Sequence, residues 1–373
     1  MKTRQKINFR VIFAILFVLL VISIILFKEV FVFNLNKFFY PNLNYQIENS
    51  ELKVHFLNVG NADCTIMQFP DNRKMLIDAG DNTQRSREYI LKYLDEKIFD
   101  KNEEKIIDYF VYTHSHSDHI GGGETIFDKF EIKTCLRPKL YSESEASNLG
   151  ISTSQQIVTS GIYETFIDKL YEENCIINYF SAGTQIEIGG VDIKFLAPLR
   201  NYYEKINNFS PVMVFSYADK KFMFVGDIEE SVENEVLYTY AYSDGEYARQ
   251  NLNVDVLKIA HHGSSTSTSQ AFLNATTPNY AVISASGEDY NHPSDQTLEN
   301  LKNANVENVL RTDKNGNIVF GVSNDDLYFT YATYGTGFKI SWWELLLLTI
   351  VLGVTLILTI KPKSKYIRLD NNF

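Results

Sequence analysis

Six of the chain's seven histidines fall in three tight groups: His114, His116 and His119; His261 and His262; and His292. An apolar stretch, Ile106 to Tyr112, runs as a strand into the first group. There His114, His116, Asp118 and His119 offer four metal ligands on one short segment. Gly121, Gly122 and Gly123 follow and predict a backbone that turns tightly back from the metals. A metal-binding loop hung on a strand end is thus the strongest constraint on what this chain can fold into. His55 stands apart, alone in a strand, and reads as structural.

The patterning around the loop extends this reading. Lys53 to Gly60, Cys64 to Phe69 and Lys74 to Ile77 predict a meander of short strands, with Pro70-Asp71-Asn72 at one turn. A helix is expected from Arg85 to Phe99, and Ser142 to Tyr171 reads as helix and loop over the site, where it would carry substrate specificity. Further strands are Ile186 to Ile188, Val191 to Leu196, Val212 to Tyr217, Lys221 to Val225, Val254 to Ile259 and Tyr280 to Ser284. Val309 to Phe320 is expected to close the fold as a hairpin turned on Asp313-Lys314-Asn315-Gly316. Strands in two halves with helices between them predict an α/β (α+β) architecture, two sheets packed face to face and covered outside by helices. A hydrophobic content of 45% excludes intrinsic disorder, and a single domain over residues 43–334 is the simplest division.

Two apolar runs lie outside that domain, Val11 to Phe27 and Leu345 to Ile360, the second preceded by Trp342 and Trp343. Each nears the length that crosses about 30 Å of hydrocarbon, which predicts transmembrane segments at residues 11–33 and 340–360. Lys28-Glu29-Val30-Phe31 follows the first run without a small-x-small site, so an uncleaved anchor is expected. Lys2, Arg4, Lys6 and Arg10 flank one run, and Lys361, Lys363, Lys365 and Arg368 the other. Basic flanks stay inside, which puts the tails 1–10 and 361–373 in the cytoplasm and the domain outside the cell membrane. Cys64, Cys135 and Cys175 form no C-x-x-C pair, so no thiolate zinc site is indicated. The formal net charge is −11 although both tails are basic, so the body is more acidic still. Phosphate binding there needs a local positive field, for which two divalent cations are the obvious source.

The segments Phe56-Leu57-Asn58-Val59-Gly60-Asn61-Ala62-Asp63, Leu76-Ile77-Asp78-Ala79-Gly80, Thr113 to Gly123, Val225-Gly226-Asp227-Ile228-Glu229 and Leu257 to Ser264 together resemble the metallo-β-lactamase superfamily. With His292-Pro293-Ser294 and Arg311 to Gly316 they are most similar to the hydrolase (nuclease) domain of ComEC-type DNA-uptake proteins. The resemblance implies an αββα sandwich of two mixed sheets and two divalent metal ions. His114 and His116 would bind one ion, Asp118 and His119 the other, with Asp227 bridging and His261 completing the second site. Superfamily members usually add a third histidine to the first site, and this chain has none between His119 and His261; Asn208 or water would fill the gap. Fewer nitrogen ligands favour Mn2+ over Zn2+, and both stay open.

By the same resemblance Asp78 would orient a ligand histidine through its other ring nitrogen, with Asp63 in a similar supporting role. His262 is the alternative to His261, since adjacent side chains on an extended segment point opposite ways. Asp118 and His292 are the catalytic candidates, His292 as a hydrogen-bond donor to a substrate oxygen. The implied chemistry is hydrolysis of a phosphodiester, with DNA the leading candidate. Alternatives are a cell-envelope phosphodiester and a non-catalytic binding or sensing module on the same scaffold. The acidic body argues against a long non-specific nucleic-acid track.

Overall fold

The expected meander forms. β1 (Leu52–Phe56) pairs antiparallel with β2 (Thr65–Gln68), and β2 with β3 (Lys74–Ile77). β4 (Ile106–Val111) and β5 (Glu131–Arg137) then add in parallel. A small side pair, β6 (Tyr141–Ser142) and β7 (Ile157–Val158), precedes β8 (Ile176–Tyr179), which lies parallel to β5. The second sheet begins with β9 (Gln185–Ile188), β10 (Val191–Ala197), β11 (Val212–Tyr217) and β12 (Lys220–Phe224), all antiparallel. It continues in parallel through β13 (Val256–Lys258), β14 (Tyr280–Ile283) and β15 (Asn308–Arg311). β16 (Ile318–Ser323) and β17 (Asp326–Tyr331) return to the first sheet beside β1. This computed structural model describes residues 43–242, 252–287 and 291–331, within one compact unit, Pro41–Thr336. Among those residues the sheets have eight and seven strands, each mixed.

Strand alternation decides which side chains meet. Met75 and Ile77 of β3, Val256 of β13 and Val282 of β14 join the cluster holding Phe56, Phe215, Phe224 and Phe320 between the sheets. The intervening Leu76, Leu257, Ala281 and Ile283 belong instead to a cluster shared with the helices. Those helices include α1 (Gln84–Tyr93), α2 (Gly161–Glu172), α3 (Gln270–Thr276) and α4 (Asp295–Asn303). α1 starts where Thr83 Oγ1 accepts from Ser86 N at 3.2 Å, a side-chain cap that satisfies one of the first-turn N–H groups. α2, within the stretch expected over the site, buries Tyr163, Phe166, Ile167 and Leu170 against Phe110, Tyr112 and Phe127. It is therefore part of the outer layer on the first sheet.

The expected closing hairpin does not form. β15 lies in the second sheet and β16 in the first, and Thr312–Asn315 is a helical turn that carries the chain between them. The hairpin instead joins β16 to β17 through Asn324 and Asp325, at φ 49° and 65°, the pair of left-handed residues a type I′ turn requires. Among the described residues no helix is long and apolar enough to cross a membrane. The segments expected at 11–33 and 340–360, and both basic tails, lie outside the described residues.

His55 is buried in β1, where its Nε2 donates to Gln68 Oε1 at 3.1 Å and its Nδ1 accepts from Tyr93 Oη at 2.9 Å. Burial holds its pKa down to about 4, because the neutral ring satisfies both partners and the charged one is desolvated. A folded pKa below the unfolded value means stability present above about pH 6.5 and lost as pH falls through about 4. His55→Gln should flatten that loss by up to about 3 kcal/mol, read as the difference in urea-unfolding free energy from wild type between pH 7 and pH 4. An identical pH slope in both proteins would rule this out.

Candidate metal centre

The site forms at the C-terminal ends of strands from both sheets, the edge where α/β folds place their ligands. β3 ends before Asp78, β4 before the Tyr112–His116 loop, β12 before Gly226-Asp227, and β13 before a tight turn over Ala260–Gly263. Gly226 has φ +50°, and a Cβ there would come 2.7 Å from Ser210 Cβ and 3.0 Å from Thr113 Cβ. Only glycine lets that turn pass so close to the histidine loop while delivering Asp227. Gly226 O accepts from His261 N at 3.1 Å, tying this turn to the second histidine group. Gly121 to Gly123 serve differently from the sharp turn expected: Gly121 is helical at φ −62°, and a Cβ there would lie 2.2 Å from Asn82 N. Close approach is what this glycine provides.

Asp78, itself left-handed at φ 59°, organises the first histidine group. Its carboxylate accepts from Thr113 N at 2.7 Å, Thr113 Oγ1 at 2.9 Å and His119 Nδ1 at 2.7 Å. With Nδ1 donating to Asp78, His119 turns its Nε2 toward Asp227 Oδ2 at 3.3 Å and Asp118 Oδ2 at 3.9 Å. His114 Nδ1 contacts Thr113 Oγ1 at 3.1 Å, and its Nε2 lies 2.9 Å from His116 Nδ1 and 3.8 Å from Asp227 Oδ2.

The histidine pair is not extended. His261 and His262 both have positive φ, 49° and 53°, and the tight turn sends their rings apart. His262 is 1% exposed; its Nδ1 donates to the Ser284 carbonyl at 3.0 Å, and its Nε2 sits 3.2 Å from Asp118 Oδ2 and 3.9 Å from Asp227 Oδ2. His261 is 24% exposed at the rim, with Asn207 and Thr266 beside it, its Nε2 3.8 Å from Asp227 Oδ2 and its ring 5.8 Å from that of His292. The compact cluster is thus Asp118, His119, Asp227 and His262, whose ligand atoms all lie within 4.8 Å of one another. His262, rather than the favoured His261, is the histidine brought into it. Asn208 is turned away, accepting from Glu229 N at 2.9 Å and donating to Ser231 Oγ at 3.2 Å. It braces the segment after Asp227 and lines a groove of about 870 Å³ with Lys205 and Glu229 that contains none of the cluster residues.

The cluster suits a cation. His119 Nε2, His262 Nε2 and Asp227 Oδ1 are buried without a well-aligned hydrogen bond among the described residues, and the two nitrogens instead face carboxylate oxygens at 3.3 Å and 3.2 Å. Burial works against charge on His119, yet the carboxylates of Asp227, Asp78 and Asp118 outweigh it and raise its pKa well above the usual range. His262 is raised in the same way, against burial, by Asp227, Asp63 and Asp118. His114, where burial and the neighbouring His119 act together, is pushed down. Burial alone would raise Asp227, but His119, His262 and His114 hold it well below the carboxylate range. Oppositely charged nitrogen and oxygen donors facing one another are what a divalent ion replaces, displacing protons as it binds. A second grouping, Asp63, Asp78 and His119, is already committed internally through the Asp78–His119 bond and an ion pair between Asp63 and Lys258. Lys258, Thr113, Ser210 and Asn207 carried no assigned role in the sequence. Only the spatial meeting of distant segments reveals them.

The family model described as "Metallo-beta-lactamase superfamily" matches residues 57–287. ComE operon protein 3 of Bacillus subtilis (strain 168) is 27% identical over 316 residues, covering 80% of this chain and 36% of that protein. Competence protein ComA of Neisseria gonorrhoeae is 34% identical over 134 residues, covering 36% of this chain and 18% of that protein. Recombination protein 2 of Haemophilus influenzae is 24% identical over 245 residues, covering 64% and 25%. The chain spans about a third or less of the length of these curated relatives. The family match takes in every segment that meets at the cluster, from Asp63 to His262, and the chain belongs to the metallo-β-lactamase superfamily, with ComEC-type competence proteins as its curated relatives.

Proposed function

We propose that the chain is a membrane-anchored, binuclear metal-dependent phosphodiesterase, with its domain outside the cytoplasmic membrane, both termini inside, and DNA its leading substrate. The observation that carries the reading is the meeting of His119 Nε2, His262 Nε2 and Asp227 Oδ1, all buried without a well-aligned hydrogen bond, beside a half-exposed Asp118. Asp118, His119, Asp227 and His262 would hold one divalent ion, zinc or manganese; His114 and His116, with Asp227 shared, would hold the other. Ions bound there would supply Lewis acidity and a water acidic enough to give hydroxide near neutral pH. Asp78 and Ser284 accept from the Nδ1 atoms of His119 and His262, so that both Nε2 atoms point at the centre and would present their lone pairs once an ion displaces their protons. Asp227 carries negative charge between the two histidine groups. His261 and His292, side by side at the rim, would face a phosphate oxygen of the substrate. Membrane attachment rests on the apolar terminal runs and their basic flanks.

The acidic body favours a second reading within the same chemistry, a small phosphodiester of the cell envelope in place of a long polyanion. The test is hydrolysis of bis-p-nitrophenyl phosphate and of labelled single-stranded DNA by the full-length chain, metal-free and with manganese or zinc. Metal-dependent cleavage of both supports the DNA reading; cleavage of the small ester alone supports the envelope reading. A chain that binds two ions and cleaves neither is a binding or sensing module. His262→Ala should weaken metal affinity by at least about 100-fold, and His261→Ala by less than about tenfold. Calorimetric titration of both variants with manganese checks the order, and a reversal returns His261 to the ligand set.

A further inference from the structure

We propose that the buried Asp63–Lys258 ion pair is a clamp joining the two halves of the metal centre, which makes both positioning residues for the hydrolase described above; the inference rests on that reading. Lys258 Nζ lies 2.9 Å from Asp63 Oδ2, with side-chain exposures of 3% and 7%. Asp63 precedes β2 in the first sheet, whereas Lys258 ends β13 in the second, four residues before His262. The pair therefore spans the sheets at the edge where the ligands meet.

The backbone of Asp63 and the ammonium of Lys258 add further tethers. Asp63 N donates to Asp118 O at 3.0 Å, and Asp63 O accepts from Gly80 N at 2.8 Å, two residues beyond Asp78. Lys258 Nζ also donates to Ile259 O at 3.0 Å, on the segment leading to His262. Three strand ends that bear or orient ligands thus converge on one aspartate, and its second oxygen, Oδ1, stands 3.7 Å from His262 Nδ1. Neither charge is stable at that depth alone, because removing one partner of a buried pair strands the other in low dielectric. Without the clamp nothing else among these contacts ties Asp118 to the strand carrying His262, and their 3.2 Å approach would relax.

Two physical roles predict opposite results. Were the pair acting only through charge, Asp63→Asn would weaken cation binding and Lys258→Met would strengthen it. A clamp fails when either half is removed. The experiment is titration calorimetry of the full-length chain in detergent with manganese and, separately, zinc, for wild type, D63N, K258M, K258R and the D63N/K258M double variant, with metal-free melting alongside. Both single neutralising variants are expected to lose about 10–100-fold in metal affinity. The double variant should be no worse than the weaker single one, and K258R should recover most of the loss. Should a single variant fail to fold, the double variant, which leaves no uncompensated buried charge, decides the matter: wild-type affinity in it overturns the clamp, and a 10-fold or greater loss supports it. Tighter binding by K258M, or strictly additive losses, also overturns the clamp while leaving the hydrolase reading intact. Absence of metal binding by the wild-type chain overturns that reading and the clamp with it.

Discussion

Asp227→Asn is expected to lower metal-dependent phosphodiester turnover on the order of 10³-fold while leaving the circular-dichroism spectrum unchanged. Asp227 is 1% exposed, and its Oδ2 approaches histidines of the first two groups: 3.3 Å from His119 Nε2, 3.8 Å from His114 and His261 Nε2, and 3.9 Å from His262 Nε2. Asparagine keeps the volume and the backbone bond from Asp227 N to Ser210 Oγ at 3.2 Å, so the loss would report charge rather than packing. The checking measurement pairs steady-state hydrolysis of bis-p-nitrophenyl phosphate with metal content per chain. Full turnover with unchanged metal stoichiometry would remove Asp227 from the centre and sink the binuclear assignment.

Glu145→Ala is expected to destabilise the fold by roughly 3–5 kcal/mol, the cost of stranding a buried charge. Arg137, at the end of β5, is 0% exposed and makes a two-pronged ion pair with Glu145, Nη1 to Oε1 at 2.7 Å and Nη2 to Oε2 at 2.9 Å. Its Nη2 also donates to Leu140 O and to Tyr163 Oη, and the rings of Tyr112, Tyr141 and Tyr179 pack around the guanidinium at 5.4–5.9 Å. Removing the carboxylate leaves the cation in a pocket of aromatic faces with nothing of opposite sign. Urea unfolding of metal-free protein provides the check, and Arg137→Met with Glu145→Leu should recover most of the loss. A decrease below about 1 kcal/mol for Glu145→Ala would mean that water reaches the guanidinium.

Much of this molecule was readable from residue order because the relevant forces are local. Apolar alternation located the strands from Lys53 to Ile77 and from Val191 to Val225, and a strand running into His114-Ser115-His116-Ser117-Asp118-His119 marked where the ligand candidates gather. The His261-His262 pair stood out through the clustering of histidines, and Asp227 came through motif resemblance, neither through periodicity. The crossing at Thr312–Asn315 was hidden, since a polar turn between two apolar strands looks the same whether those strands pair with each other or with different sheets. Which sheet a strand joins depends on the partner with a free edge.

The sequence by itself determined the residue types available for metal chemistry, their grouping, and the alternation that makes two buried layers. Tertiary structure alone decided which of them converge. Left-handed backbone angles that no adjacent pair announces bring His262 into the cluster and leave His261 at the rim, Asn208 was turned away by Glu229 and Ser231, and Lys258 acquired a charge partner only because Asp63 arrives from the other sheet. The physical reason is common to all three: a side chain's direction and charge partner depend on chain segments remote in sequence, and burial makes those distant contacts the dominant energies.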